Sequence, residues 1–292
     1  LADELHKENK TLFVTVPFPD VDEAGVVDNG AYDWTALATA ADYLNVMPDR
    51  DQSTYKTKMG QVFTDAKNDG INMRKLLLVL SPYSTEKTAD GIQLRTLADA
   101  MGTAAQIQVK GNADVSTGDR VTLQAPHISS DLGASGMKWS DDSLTVEFSW
   151  PVDGGTRTIW VENQFSAAFK LKLVEVYGLG GITVEDVSLG DPPEINANLW
   201  PAILPFLEDG KPTLIKPNPD MMTPEFEADT GVLSGSSSSG VVTWTAPAQD
   251  GEATITLTVG EGTVRMSNEL VIDVLAGPGD SGSETPEETP QE

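Results

Sequence analysis

Hydrophobic positions along the first two-thirds of the chain switch repeatedly between two periods. Leu12-Phe13-Val14-Thr15-Val16 is a short, almost continuously apolar run of the kind a parallel strand buried on both faces shows. Asp33 then stands where a helix cap belongs, and Trp34, Leu37, Ala38 and Ala41 follow at i, i+3, i+4, i+7 spacing. The next strand is expected over 43–47. The cycle recurs with Met59, Val62, Phe63 and Ala66 on one helical face, a stop at Asn68-Asp69-Gly70, and the strand Leu76-Leu77-Leu78-Val79-Leu80. After a long interruption it recurs as a helix over 165–177, a strand over 181–187 and a helix over 195–203. Strands alternating with helices predict an α/β fold with a parallel sheet.

The interruption, residues 84–163, has a different texture. A helix over 93–101 precedes alternating segments at 120–124, 143–150 and 156–162, which read as antiparallel strands and make this an α+β insertion. Past Pro205 the helical pattern stops, and 204–210 reads as a linker. Residues 211–276 carry β-type runs at 241–245, 253–259 and 269–275, separated by Gly, Ser and Asp turns, as in a small sandwich. Residues 277–292 hold too little apolar surface to order the chain and read as a disordered acidic tail.

Four strands before the sandwich cannot close a barrel of about eight, and both sheet edges would stay open. A missing N-terminal half-barrel is therefore expected, from upstream sequence or from another chain. Leu1 falling inside a helical pattern points the same way.

Charge and composition narrow the chemistry. With 45 acidic against 19 basic residues the formal net charge is -26, which repels nucleic-acid backbones and anionic lipid. Cysteine is absent, and His6 and His127 are the only histidines, so thiolate and histidine-rich metal sites are excluded and neither metal nor cofactor is expected. No apolar run approaches the ~20 residues that span a bilayer, and membrane insertion is not expected.

Three stretches then fall in register with a known family. Thr11 to Pro17 with Tyr32-Asp33-Trp34 and Asp42 to Met47, then Lys75 to Ser84, then Ile159 to Ser166 running through Lys170 to Tyr177-Gly-Leu-Gly-Gly-Ile182, resemble strands five to eight of the glycoside hydrolase family 18 barrel. The branch they look closest to holds chitinase-like and spore-cortex-lytic proteins. The resemblance covers residues 1–203 and implies the C-terminal half of a (β/α)8 TIM barrel. Val242 to Pro247, Asp250-Gly251 and Thr254 to Val259 similarly resemble bacterial immunoglobulin- or PKD-like modules, in which Trp244 would be the core tryptophan of a spacer.

The family resemblance implies an extracellular protein whose partner is an N-acetylglucosamine-containing glycan, chitin or peptidoglycan. It also implies substrate-assisted retention, in which a glutamic acid protonates the glycosidic oxygen while the N-acetyl carbonyl attacks. That acid belongs to a DxxDxDxE motif after strand four, which this chain does not contain. Where the family has Met-x-Tyr-Asp to hold the N-acetyl group, this chain has Met47-Pro48-Asp49-Arg50-Asp51. Where a tryptophan floors the sugar site, it has Val184, Glu185 and Asp186. These departures imply lost or weak hydrolysis by this stretch.

Asp49, Asp51 and Glu185 nevertheless stand at strand ends, where (β/α) active sites are built, as do Asp20, Asp22 and Glu23. They are the candidate catalytic groups, as a new acid/base pair or a calcium site, against the simpler reading of solvated loop acids. Met47, Tyr83 and Asp186 are the candidate substrate-binding residues. An active N-acetylglucosaminidase with its acid upstream and a structural surface protein remain as alternatives.

Overall fold

The computed structural model describes residues 1–111, 114–185 and 192–277, the side chains of 192–198 excepted. Strands Phe13–Val16, Tyr43–Val46, Leu76–Leu80 and Gly181–Val184 lie side by side in that order, all parallel. Helices Trp34–Ala40, Tyr55–Asn68 and Gln164–Tyr177 each precede the next strand, and Pro192–Asp209 follows the last. Two of them carry side-chain caps. Asp33 accepts a bond from the Ala36 amide at 2.9 Å, and Asn163 with Ser166 builds a capping box. Gly178 closes the third helix at φ 66°.

Because side chains alternate along a strand, the sheet has two different faces. Leu44, Val46, Leu76, Leu78 and Leu80 pack with Trp34, Met59, Val62, Phe63, Leu171 and Val174 in one core under the helices. On the opposite face Phe13 stacks on Tyr43 at 5.1 Å, and Asn45 donates to Thr15 at 3.2 Å. Phe13 and Thr15 are exposed there, and Tyr43 and Asn45 are half-buried. Among the described residues the outer edges of Phe13–Val16 and Gly181–Val184 have no strand partner, so the sheet is an open half-barrel. The turn into the last strand depends on Gly180, where an added Cβ would stand 2.1 Å from the Arg74 carbonyl oxygen.

The expected helix over 93–101 forms instead at Leu97–Ala104. Gly91–Arg95 pairs as a hairpin with Ser84–Thr88, and the Thr96 hydroxyl caps the Asp99 amide at 3.0 Å, which fixes the helix start beyond the hairpin. These two strands join Gly155–Val161, Thr145–Val152 and Lys138–Ser140 in a five-stranded antiparallel sheet. The expected linker over 204–210 also falls differently, since the helix runs on to Asp209 through Pro201 and Pro205. Leu199, Ala202, Ile203 and Phe206 keep one apolar face in the core, and that burial offsets the two lost backbone bonds. Of the expected tail, residues 278–292 lie outside the described residues.

The sandwich expected over 211–276 is not self-contained. Val232–Ser234 and Val241–Thr245 are joined by Arg120–Gln124 and Gln108–Lys110, while Glu225–Ala228, Gly251–Gly260 and Arg265–Leu275 are joined by Val115–Ser116. The insertion thus supplies strands to both C-terminal sheets. Their shared core also takes in the insertion's five-stranded sheet through Val146, Phe148 and Ile159. A period-2 pattern reports that a strand has one buried face and is silent on which strand lies beside it, so sheets shared between the insertion and the C-terminal strands leave no mark on it. Trp244 is fully buried at its centre, its indole N–H donating to the Thr230 carbonyl at 2.9 Å.

Trp244→Ala is expected to destabilise the chain by about 3–5 kcal/mol. Deleting 219–277 should render 108–124 sensitive to limited proteolysis; a truncated chain that keeps this segment protected would contradict the shared-sheet description.

Candidate functional site

The C-terminal ends of the four parallel strands form one cluster. After Val46 the chain runs Met47-Pro48-Asp49-Arg50-Asp51, with the Met47 amide still bonded to the Val16 carbonyl at 3.1 Å. After Leu80 comes Ser81-Pro82-Tyr83, and the Glu185 amide bonds the Leu80 carbonyl at 2.9 Å, so the third and fourth strands end level. Arg50 spans these ends. Its guanidinium donates to Ser81 Oγ at 3.0 Å and to Glu185 Oε1 at 2.5 Å. Glu185 Oε2 is buried without a hydrogen-bond partner.

The two aspartates beside Arg50 are treated differently by their surroundings. Asp49 is 8% exposed, and burial pushes its carboxyl above the usual range against the pull of Lys58. Its Oδ2 lies 3.4 Å from Lys58 Nζ, near enough for attraction but without a directed hydrogen bond. Its Oδ1 accepts from the Asp51 amide at 2.9 Å. Burial pushes Asp51 up as well, but bonds from Lys87 at 2.7 Å and from the Ser53 hydroxyl at 2.7 Å outweigh it and hold this carboxyl below the usual range.

Below the cluster lies a buried polar layer. Lys170 Nζ donates to Glu162 Oε2 at 2.5 Å and to Gln52 Oε1 at 2.9 Å, and sits 4.6 Å from the centroid of the Tyr55 ring. Tyr55 is fully buried, its hydroxyl has no hydrogen-bond partner, and burial together with Glu162 and Asp49 raises its pKa far above the ordinary phenol value. Gln52 Nε2 donates to the Asp49 carbonyl.

Asp49, Asp51 and Glu185 are thus brought to one end of the sheet, as their positions after strands predicted, each against a cation. Met47 and Tyr83 are half-buried on the same strand-end segments; Asp186 lies outside the described residues. Asp20, Asp22 and Glu23 are exposed, and Asp22 caps its own hairpin through the Val26 amide. Among the described residues no three metal-ligating side chains converge, so the calcium alternative has no ligand set here. Sequence reasoning missed Arg50, Lys58, Lys87 and Lys170. One signal was available, because Ser166 and Lys170 stand four apart on one face of the helix, with Glu162 just ahead of its cap.

No known family profile matches the chain. Over 200 residues, 62% of this chain and 53% of the relative, it is 24% identical to di-N-acetylchitobiase from Rattus norvegicus. Among solved structures it is similar to a chitinase from Chromobacterium violaceum, with 23% identity, a TM-score of 0.45, and coverage of 67% of this chain and 56% of that one. It is also similar to the spore cortex-lytic enzyme of Bacillus megaterium, with 15% identity, a TM-score of 0.43, and coverage of 68% and 43%. The chain spans about half the length of the curated relative it matches.

The neighbouring aspartates should titrate against stability with opposite signs. Asp49 has a raised pKa in the folded state, so its ionised form is a burden that disappears as pH falls through that pKa; Asp49→Asn should stabilise the chain at pH 7 and lose its advantage below the usual carboxylate range. Asp51 has a lowered one, so Asp51→Asn should cost under about 1 kcal/mol at pH 7, a cost that fades as pH falls through the folded-state pKa. Urea midpoints of both variants between pH 3 and 7 (about the carboxylate range) check the pair, and equal signs would refute this account.

Proposed function

We propose that the chain is part of an extracellular glycoside hydrolase family 18-like protein that engages N-acetylglucosamine-containing glycans, chitin or peptidoglycan, at these strand ends and hydrolyses them weakly at best. One observation carries the reading: the three carboxylates gathered around Arg50 are each already engaged by a cation, Glu185 by Arg50, Asp49 by Lys58 and Asp51 by Lys87. Glycoside hydrolysis needs a proton donor free to reach the glycosidic oxygen and a second polar group holding the reacting partner. A carboxylate oxygen bonded to a guanidinium at 2.5 Å is not free to do either. Arg50 stands where the resemblance calls for the aspartate that holds the N-acetyl group, which reverses the charge at that position. Misplacing a reacting group by an ångström costs on the order of a hundredfold in rate.

Strands pairing with the two open edges, from preceding polypeptide or from another chain, would complete the barrel and one wall of the glycan groove. Tyr83 offers a ring for sugar stacking on the other wall. Secretion or surface display fits the family likeness and the acidic composition.

The second reading is an active, divergent N-acetylglucosaminidase, and one feature favours it. Asp49 binds its proton more tightly than an ordinary aspartate, as a general acid must.

Both readings are separated by assaying the complete protein on a fluorogenic N-acetylglucosamine oligomer, beside Asp49→Ala, Asp51→Ala and Glu185→Ala, and by pull-down on insoluble chitin and peptidoglycan. Expected are negligible turnover and retention on one polymer that falls several-fold in Tyr83→Ala, the loss of about 1 kcal/mol of ring contact. Robust turnover abolished by one of the three substitutions would establish the second reading. Retention on neither polymer would remove the binding one.

A further inference from the structure

We propose that Glu261, on the turn between the two longest C-terminal strands, is a positioning residue for the strand-end cluster, acting through a continuous line of buried hydrogen bonds that starts at Asn163. The inference is independent of any glycan.

Glu261 has no exposed surface, and a buried carboxylate persists only where its oxygens are bonded. Oε1 accepts from the Val264 amide at 2.8 Å, from the Thr263 amide at 3.2 Å and from the Thr263 hydroxyl, which closes the turn. Oε2 points the other way and accepts from Asn163 Nδ2. Asn163 is the cap of the helix Gln164–Tyr177, its Oδ1 accepting from the Phe165 and Ser166 amides at 2.9 and 3.0 Å. The amide group of Asn163 is therefore committed at both ends, oxygen to the helix and nitrogen to Glu261. A negative charge at a helix N-terminus is favourable in its own right.

The line continues through the first two turns of the helix. Ser166 Oγ donates to Glu162 Oε1 at 2.7 Å, and Glu162 Oε2 accepts from Lys170 at 2.5 Å. Lys170 donates to Gln52 Oε1 at 2.9 Å, and Gln52 Nε2 donates to the Asp49 carbonyl. Arg50, the next residue, grips Glu185. Glu261, Asn163, Ser166, Glu162, Lys170 and Gln52 are all buried. The turn carrying Glu261 is itself fixed, because a Cβ at Gly262 would stand 2.4 Å from Pro217 Cβ and 2.8 Å from the Phe165 ring. A spacer module would have no cause to bury a carboxylate against the half-barrel. The C-terminal unit instead sets the position of the loop that carries Asp49, Arg50 and Asp51.

The test separates positioning from mere turn closure. In Glu261→Gln the shape is kept and the turn amides keep an oxygen acceptor, but an NH2 group now faces the NH2 of Asn163. Adding Asn163→Asp restores a donor–acceptor pair while leaving one carboxylate oxygen on the helix amides. Hydrogen–deuterium exchange of the full chain is read over 49–54 and over 260–266. Glu261→Gln is expected to speed exchange over 49–54 on the order of tenfold, the scale of one unsatisfied buried donor, and the double substitution to restore it. Faster exchange confined to 260–266, or unrescued exchange over 49–54, would overturn the proposal. Should the single variant fail to fold, the double variant must fold with native protection over 49–54; if it does not, the proposal fails as well.

Discussion

The arrangement rests on the burial of Lys170. An ammonium group at 4% exposure cannot shed its charge cost to water, so its partners must be brought to it. Glu162, at the end of an insertion strand, and Gln52, beyond the second barrel strand, both reach it. Two segments remote in sequence, 162–170 and the loop at Gln52, are thereby fixed by one side chain. Removing either member of such a pair leaves an uncompensated charge, so the loop carrying Asp49 and Arg50 cannot relax without cost.

The second constraint is the division of the chain into two cores that do not follow its sequence order. The parallel sheet and its helices form one, and the insertion together with the C-terminal strands forms the other. Strands from 108–124 complete both C-terminal sheets, so the chain leaves the half-barrel, builds half of a β body, returns to finish the third βα unit, and then supplies the rest. Such pairing spans long loops and ties the two parts into a mutual dependence that a chain of independent modules would lack.

At the strand ends, electrostatics decides what the carboxylates can do. In a chain of net charge -26, solvated acids would be the ordinary outcome, yet Asp49, Asp51 and Glu185 each meet a cation. Two adjacent aspartates then diverge, one pushed up by burial and the other held down by Lys87 and Ser53 despite burial. Position along a strand brings an acid to the site, while its neighbours set its proton affinity.

By itself the sequence determined what is local. The apolar runs at 12–16, 43–47 and 76–80, the Asp33 cap and the stop at Asn68-Asp69-Gly70 are short-range signals, and the strands and helices they announce stand within a residue of where periodicity puts them. The parallel order also followed, since a strand, a helix and another strand of this spacing admit few arrangements. Tertiary structure alone decided the partners. The residues of 120–124 carry the same alternation whatever lies beside them, and only the fold sets Gln108–Lys110 on one side and Val241–Thr245, with Trp244, on the other. The same holds for the site: Asp49, Asp51 and Glu185 were legible because they follow strands, whereas Arg50 reaching Glu185 joins residues 135 apart. Charge pairing across such distances leaves no spacing in the sequence to read, and only the fold brings the partners together.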